Sequence, residues 1–174
     1  MTTELDRFLN LFDALVVASN KWMESTPPEK LDWIPVDNPN MRFGDRISRI
    51  TIRSLYVHTL TGEKMWAGML AGCREGDTFK PVLEKELTQR LMTSTNLIED
   101  AMQVHRENME VFANFTEARL DANIQWVAHD WTVMGFLWGI YSHRSYHLGN
   151  IDIYLREADV PGVDFFNTFR RTLA

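Results

Sequence analysis

Apolar residues recur at helical spacing over four long stretches of the chain. Between residues 4 and 24 they are Leu5, Phe8, Leu9, Phe12, Leu15, Val16 and Met23, which share one face of a helix. Pro27 and Pro28 end this stretch, because proline lacks an amide donor and restricts the residue before it. "LDWIPVDNPNMRFGD" (31–45) is rich in Pro, Asn, Asp and Gly and reads as a long loop. A second helix is expected from about 45 to 71, with Asp45 as N-cap and Gly72 just past its end. "REGDTFKP" (74–81) is the next break, and 82–112, free of Gly and Pro, predicts one continuous third helix. "NIQWVAH" (123–129) alternates in part and predicts a short strand or extended segment. A fourth helix is expected over 131–158, capped by Asp130 and stopped by "DVPG".

Four long helices with one long connection are satisfied by packing as an up-down four-helix bundle, an all-α fold of one domain over 1–174. The tail carries Phe165, Phe166 and Phe169 and is expected to pack on something. With 45% hydrophobic and 24% charged residues the chain has the composition of a soluble globular protein. Its net charge of −6 argues against a nucleic-acid surface, which needs a basic patch. Cys73 is the single cysteine. It cannot form an internal disulfide, and it reads as a free thiol near a helix end rather than a reactive one. "MTTELDRFLNLF" lacks the basic start of a signal peptide. The longest apolar runs, "ALVVA" and "VMGFLWGIY", are too short to span a bilayer. A cytoplasmic location away from membranes is the expectation.

The chemistry is carried by histidines. His143 and His147 lie four residues apart on the fourth helix, on a face shared with Phe136, Ile140, Ile151 and Tyr154. That face points inward, where two imidazoles need partners. His58 sits midway along the second helix on a stripe with Leu55, Gly62, Met65 and Met69, and Ser54 and Thr61 leave space beside it. One histidine from one helix and an i,i+4 pair from another make a three-nitrogen set with an open fourth position, as in catalytic zinc sites. His105 lies among Gln103, Arg106 and Glu107 and reads as solvated; His129 reads as a boundary residue. Arg144 occupies the place where H-E-x-x-H peptidases carry their base. Glu63 and Asp152 turn off the ligand stripes and read as surface charges. Tyr154 could contact a substrate but reads first as a boundary tyrosine. Trp126, Trp131 and Trp138 either line a pocket or pack in a core or interface.

"LYVHTLTGEKMW" (55–66), "HRSYHLGNIDIYLRE" (143–157) and the loop "EKLDWIPVDNPNMRFGD" (29–45) together resemble the DinB/YfiT-like superfamily over residues 5–158. The resemblance implies a bundle with an internal divalent metal, zinc or nickel foremost, held by His58, His143 and His147. It implies a homodimer acting on a small-molecule substrate. Some members use a low-molecular-weight thiol, as in bacillithiol or mycothiol S-transfer and maleylpyruvate isomerisation. Others are described as metal-dependent hydrolases, and many have no assigned activity. Leu148, Gly149 and Asn150 stand where the family commonly has a basic residue followed by Gly-Gln, which leaves the subfamily open. The expected function is therefore transfer of a small thiol to an electrophile at a three-histidine metal site. The alternatives are metal-dependent hydrolysis and a non-catalytic metal-binding role in a stress response.

Overall fold

The structure is a computed structural model that describes residues 2–34, 42–43, 46–47, 50–162 and 164, with the backbone alone at 42–43 and 46–47. Helix α1 runs over Glu4–Glu24. It opens with a capping box: Asp6 N–H donates to Thr3 Oγ1 at 3.1 Å and Thr3 N–H to the Asp6 carboxylate at 2.9 Å, satisfying two amides that the helix itself cannot. A short turn α2 (Pro28–Leu31) follows. Strands β1 (Arg42–Phe43) and β2 (Arg46–Ile47) pair antiparallel. Helix α3 covers Ile52–Gly72 and is capped by Thr51, which exchanges hydrogen bonds with Ser54. It therefore starts later than expected, because β2 occupies the chain before it. Asp45, the expected cap, lies outside the described residues, and Ser54 serves the cap rather than space beside His58.

The third helical stretch is two helices, α4 (Lys85–Thr93) and α5 (Leu97–Ala113). Ser94 Oγ donates to Asp100 at 2.6 Å and accepts Asn96 N–H at 3.0 Å. These local bonds compete with the helical ladder and interrupt it without Gly or Pro. Beyond the short α6 (Glu117–Leu120) lies the predicted strand. It is β4 (Asn123–Trp126), the centre of a small sheet, parallel to β3 (Thr78–Phe79) and antiparallel to β5 (His129–Thr132). Val127 and Ala128 close the β4–β5 hairpin with φ of 48° and 62°, the signature of a two-residue type I′ turn. Helix α7 (Val133–Glu157) is capped by Thr132, whose Oγ1 accepts Gly135 N–H at 3.0 Å. Asp130 is not the cap: it is paired opposite Gln125 in β5, so the helix cannot begin until that pairing ends.

Both α1 and α3 pack chiefly on α5 and α7. Thus α1 and α3 hold opposite corners of the bundle, and the long connection joins a diagonal. The core has two regions. One gathers Leu15, Tyr56, Leu60, Leu148, Ile151 and Leu155. The other gathers Phe8, Phe12, Phe112, Val133, Leu137 and Ile140 beneath the small sheet. Burying one such side chain stabilises the fold by about 1.5–3 kcal/mol. Trp138 follows the packing reading: its ring stands edge-on to Phe8 and its indole N–H donates to Glu4 at 2.9 Å.

His105 corrects the expectation of a solvated residue. It is 2% exposed and its Nε2 lies 2.9 Å from Asp13 on α1. The α1–α5 packing covers it, although its sequence neighbours on α5 are polar. Phe165, Phe166 and Phe169 lie outside the described residues. No helix among the described residues is long and apolar enough to cross a membrane.

Candidate metal centre

Helices α3 and α7 pack side by side, and this contact brings His58, His143 and His147 together. His143 Nε2 lies 3.3 Å from His58 Nε2 and 3.1 Å from His147 Nε2. One nitrogen from each ring falls within 4.8 Å of the others. His147 is buried, and His58 and His143 are half-buried. Gly62 lies one turn beyond His58. A Cβ there would stand 3.5 Å from the Trp66 ring and 3.8 Å from His143 Cε1, so glycine keeps the space beside the cluster open.

Burial, reinforced by His147, His58 and Arg144, lowers the His143 pKa to about 3. Burial lowers that of His147 to about 4. Both rings are therefore neutral near pH 7, the state in which imidazole ligates a metal. Hydrogen bonds alone do not close the triangle. His143 Nε2 faces both other rings, and a single nitrogen carries either a proton or a lone pair. A cation accepts all three lone pairs. Two nitrogens bound to zinc at about 2.0–2.1 Å with a tetrahedral angle stand about 3.3–3.4 Å apart, close to the two separations seen here. His143 Nδ1 is buried with no hydrogen-bond partner among the described residues. The donor set thus fits a divalent ion in chemistry and spacing.

Glu63 is not a surface charge. It is 0% exposed and receives two hydrogen bonds from Arg144, Nε at 2.7 Å and Nη2 at 2.6 Å. Arg144 follows His143 directly on α7, and Glu63 follows Gly62 on α3. The ion pair therefore ties the two ligand-bearing helices together beside the cluster. Burial opposes the charge on Arg144, but Glu63 outweighs it and holds the guanidinium pKa above its ordinary value. Asp152 is half-buried rather than a surface charge, and its carboxylate accepts from Arg156 Nε at 3.0 Å one turn along α7. Tyr154 is half-buried against the core, and His129 is exposed on β5. Cys73 is buried, and Arg119 Nη1 donates to its sulfur at 3.1 Å.

Two cavities reach the histidines. One, of about 180 Å³, is walled by Trp66, Trp126, Trp131 and Phe136, with Gly139 and His143 at its helix side. The other, of about 230 Å³, is lined by His58, Thr61, Met65, Val82, Leu83 and Glu84, among others. Trp66 and Trp126 border both. Of the three tryptophans weighed as pocket walls, Trp126 and Trp131 take that place and Trp138 does not. Sequence reasoning missed Trp66 and Glu84. Trp66 continues the His58–Gly62 register by one more turn, a visible signal. Glu84 reaches the site only because the 81–84 segment folds back over α3, which periodicity does not reveal.

Comparisons with known proteins agree with this architecture. The sequence profile of the DinB family matches residues 1–169. The chain is similar in fold to the DinB-like protein YjoA from Bacillus subtilis. The TM-score is 0.67 at 18% identity, covering 91% of this chain and 96% of that one. It is also similar to YfiT from Bacillus subtilis, described as a probable metal-dependent hydrolase with an unusual four-helix bundle topology. There the TM-score is 0.66 at 14% identity, covering 90% of this chain and 89% of that one. A search of curated proteins gives no match. With its three converging histidines on a bundle of this kind, the chain belongs to the DinB family.

Proposed function

We propose that this chain is a divalent-metal-dependent enzyme whose ion is held by His58, His143 and His147 and whose substrate is a small molecule. The convergence of the three Nε2 atoms, at 3.1 and 3.3 Å about His143, carries the reading. A divalent ion bound there supplies Lewis acidity and lowers the pKa of a bound water or thiol. All three protein ligands are neutral, so they leave the charge of the ion undiminished. Glu63 cannot serve as a base, because both of its oxygens are bonded to Arg144. Glu84 lines the same cavity as His58, and on this reading it receives the proton of an incoming nucleophile. Glu84 would serve water or a thiol alike, and the description of YfiT as a probable metal-dependent hydrolase is what puts hydrolysis ahead of thiol transfer.

The test has two stages. Untagged protein, purified anaerobically, is expected to hold about one zinc or nickel ion per chain. His58→Ala, His143→Ala or His147→Ala should each remove most of it. Equal metal content in wild type and the triple variant would end the reading. The loaded protein is then offered uncharged esters and amides with and without a low-molecular-weight thiol. Turnover without thiol, reduced at least tenfold by Glu84→Gln, supports hydrolysis. An absolute need for thiol would restore S-transfer, and inactivity across a broad panel would favour a non-catalytic metal-binding role. The homodimer implied by the resemblance belongs to the same reading. Sedimentation showing a monomer at every concentration would remove it.

A further inference from the structure

We propose that the aromatic chamber beside His143 is the specificity subsite, built to take an uncharged aromatic group of the substrate and hold its adjacent reacting carbon at the metal centre. The proposal rests on the metal reading of the three histidines and adds the class of group that binds. The chamber measures about 180 Å³, the scale of apolar cavities that hold one benzene ring. Its walls stand edge to face. Trp66 meets Phe136 at 6.0 Å and 84°, and Trp131 meets Phe136 at 5.6 Å and 86°. A ring entering between them finds both faces and edges, the arrangement aromatic groups prefer. None of the residues lining it is a carboxylate, a lysine or an arginine. In the metal-free protein a carboxylate or ammonium placed there has no counter-charge, so its desolvation is not offset.

The chamber is also connected to the chemistry. Trp66 stands edge-on to His143 with ring centroids 4.8 Å apart, so an occupant packed on Trp66 lies against His143. On the other side of Trp66 and Trp126 the His58 cavity widens towards Val82 and Leu83, which are 69% and 65% exposed. That opening, with Glu84 and Thr88 on its wall, suits the polar nucleophile and leaving group. The chamber fixes one end of the substrate and leaves the other in contact with solvent.

Gly139 offers a clean perturbation. It precedes His143 by one turn, and a Cβ there would meet the Trp131 ring at 3.5 and 3.8 Å. That is ordinary contact, so Gly139→Ala fits and favours the helix, while Gly139→Val fills more of the chamber. The probes are benzyl alcohol, benzylammonium and benzoate, titrated into metal-free protein and followed by the indole N–H resonances of Trp66 and Trp131. Benzyl alcohol should bind, and the two charged probes should bind at least tenfold more weakly. Gly139→Val should weaken benzyl alcohol at least tenfold and Gly139→Ala by less, with zinc stoichiometry unchanged in both. Charged probes that bind as tightly as benzyl alcohol, or Gly139 variants that bind it unchanged, would overturn the proposal. If zinc fails to bind while benzyl alcohol still does so in a Gly139-dependent way, the metal reading falls and the chamber stands. If zinc binds and benzyl alcohol does not, the chamber proposal falls alone.

Discussion

Replacing Glu63 by leucine should destabilise the fold far more than replacing Glu63 and Arg144 together. The two side chains are each 1% exposed, and their two bonds of 2.7 and 2.6 Å form a bidentate pair. Glu63→Leu leaves a guanidinium charge in the bundle with no carboxylate. Arg144 Nη1 already lacks a hydrogen-bond partner among the described residues, so no nearby acceptor is ready to take over. Breaking one side of such a pair costs about 3–5 kcal/mol. For a chain of 174 residues, at about 2–4 °C per kcal/mol, that lowers Tm by roughly 6–20 °C. Glu63→Leu combined with Arg144→Met removes both desolvation penalties, and its stability should lie within about 2 kcal/mol of wild type on either side. Urea unfolding of metal-free protein at constant m-value measures Glu63→Leu, Arg144→Met and the double variant. Single variants that each lose less than about 1 kcal/mol, with an additive double variant, would refute the buried pair as a coupled unit. Zinc titration of the double variant then separates the pair's contribution to the fold from any contribution to placing His143.

Three further outcomes are expected. His105→Ala should leave zinc binding intact yet lower stability by about 2 kcal/mol, since it empties a buried site and strips Asp13 of its partner; loss of zinc together with stability would contradict the separation of the two histidine sites. In metal-free protein His143 and His147 are held near 3 and 4, below the ordinary 6.5. The unfolded chain therefore binds more protons in that interval, and stability should fall as pH drops from about 6.5 towards 4. His147→Gln should flatten that slope, and identical urea-midpoint profiles for variant and wild type would dismiss it. Replacing Val127–Ala128 by Asn-Gly should raise stability by about 1 kcal/mol, because the turn holds both residues at positive φ; an unchanged midpoint would show that the turn carries no strain.

The fold was legible where one helix face alone decides the outcome. Helix α1 begins and ends where its stripe and the prolines place it, and the i,i+4 spacing of His143 and His147 puts both on the α7 face that meets His58, although most of the His58 stripe itself is only half-buried. Legibility failed where a second helix changes the environment. Glu63 turns off the His58 stripe, but α3 packs on both α5 and α7, so its buried arc is wider than one stripe and includes the direction of Arg144. His105 fails for the same reason, hidden by α1 despite polar neighbours on its own helix. The break at 94–96 was encoded in Ser94, whose hydroxyl bonds locally to Asp100 and to the Asn96 amide. A criterion that looks only for Gly and Pro passes over it. Asp130 was displaced by Thr132 because strand pairing, invisible to helix-cap rules, delays the start of α7.

The three histidines are unequal in the order in which they can meet. His143 and His147 are neighbours as soon as one turn of α7 forms, whereas His58 lies 85 residues from His143 along the chain. During synthesis the solitary ligand emerges first and waits for the pair. An ion met by the growing chain finds one donor and later an isolated pair, each a weak ligand set. Closing the long loop between them requires α3 and α7 to dock. The three donors can thus converge only late in folding, and on the proposed metal reading tight capture of an ion would require that the bundle has already closed.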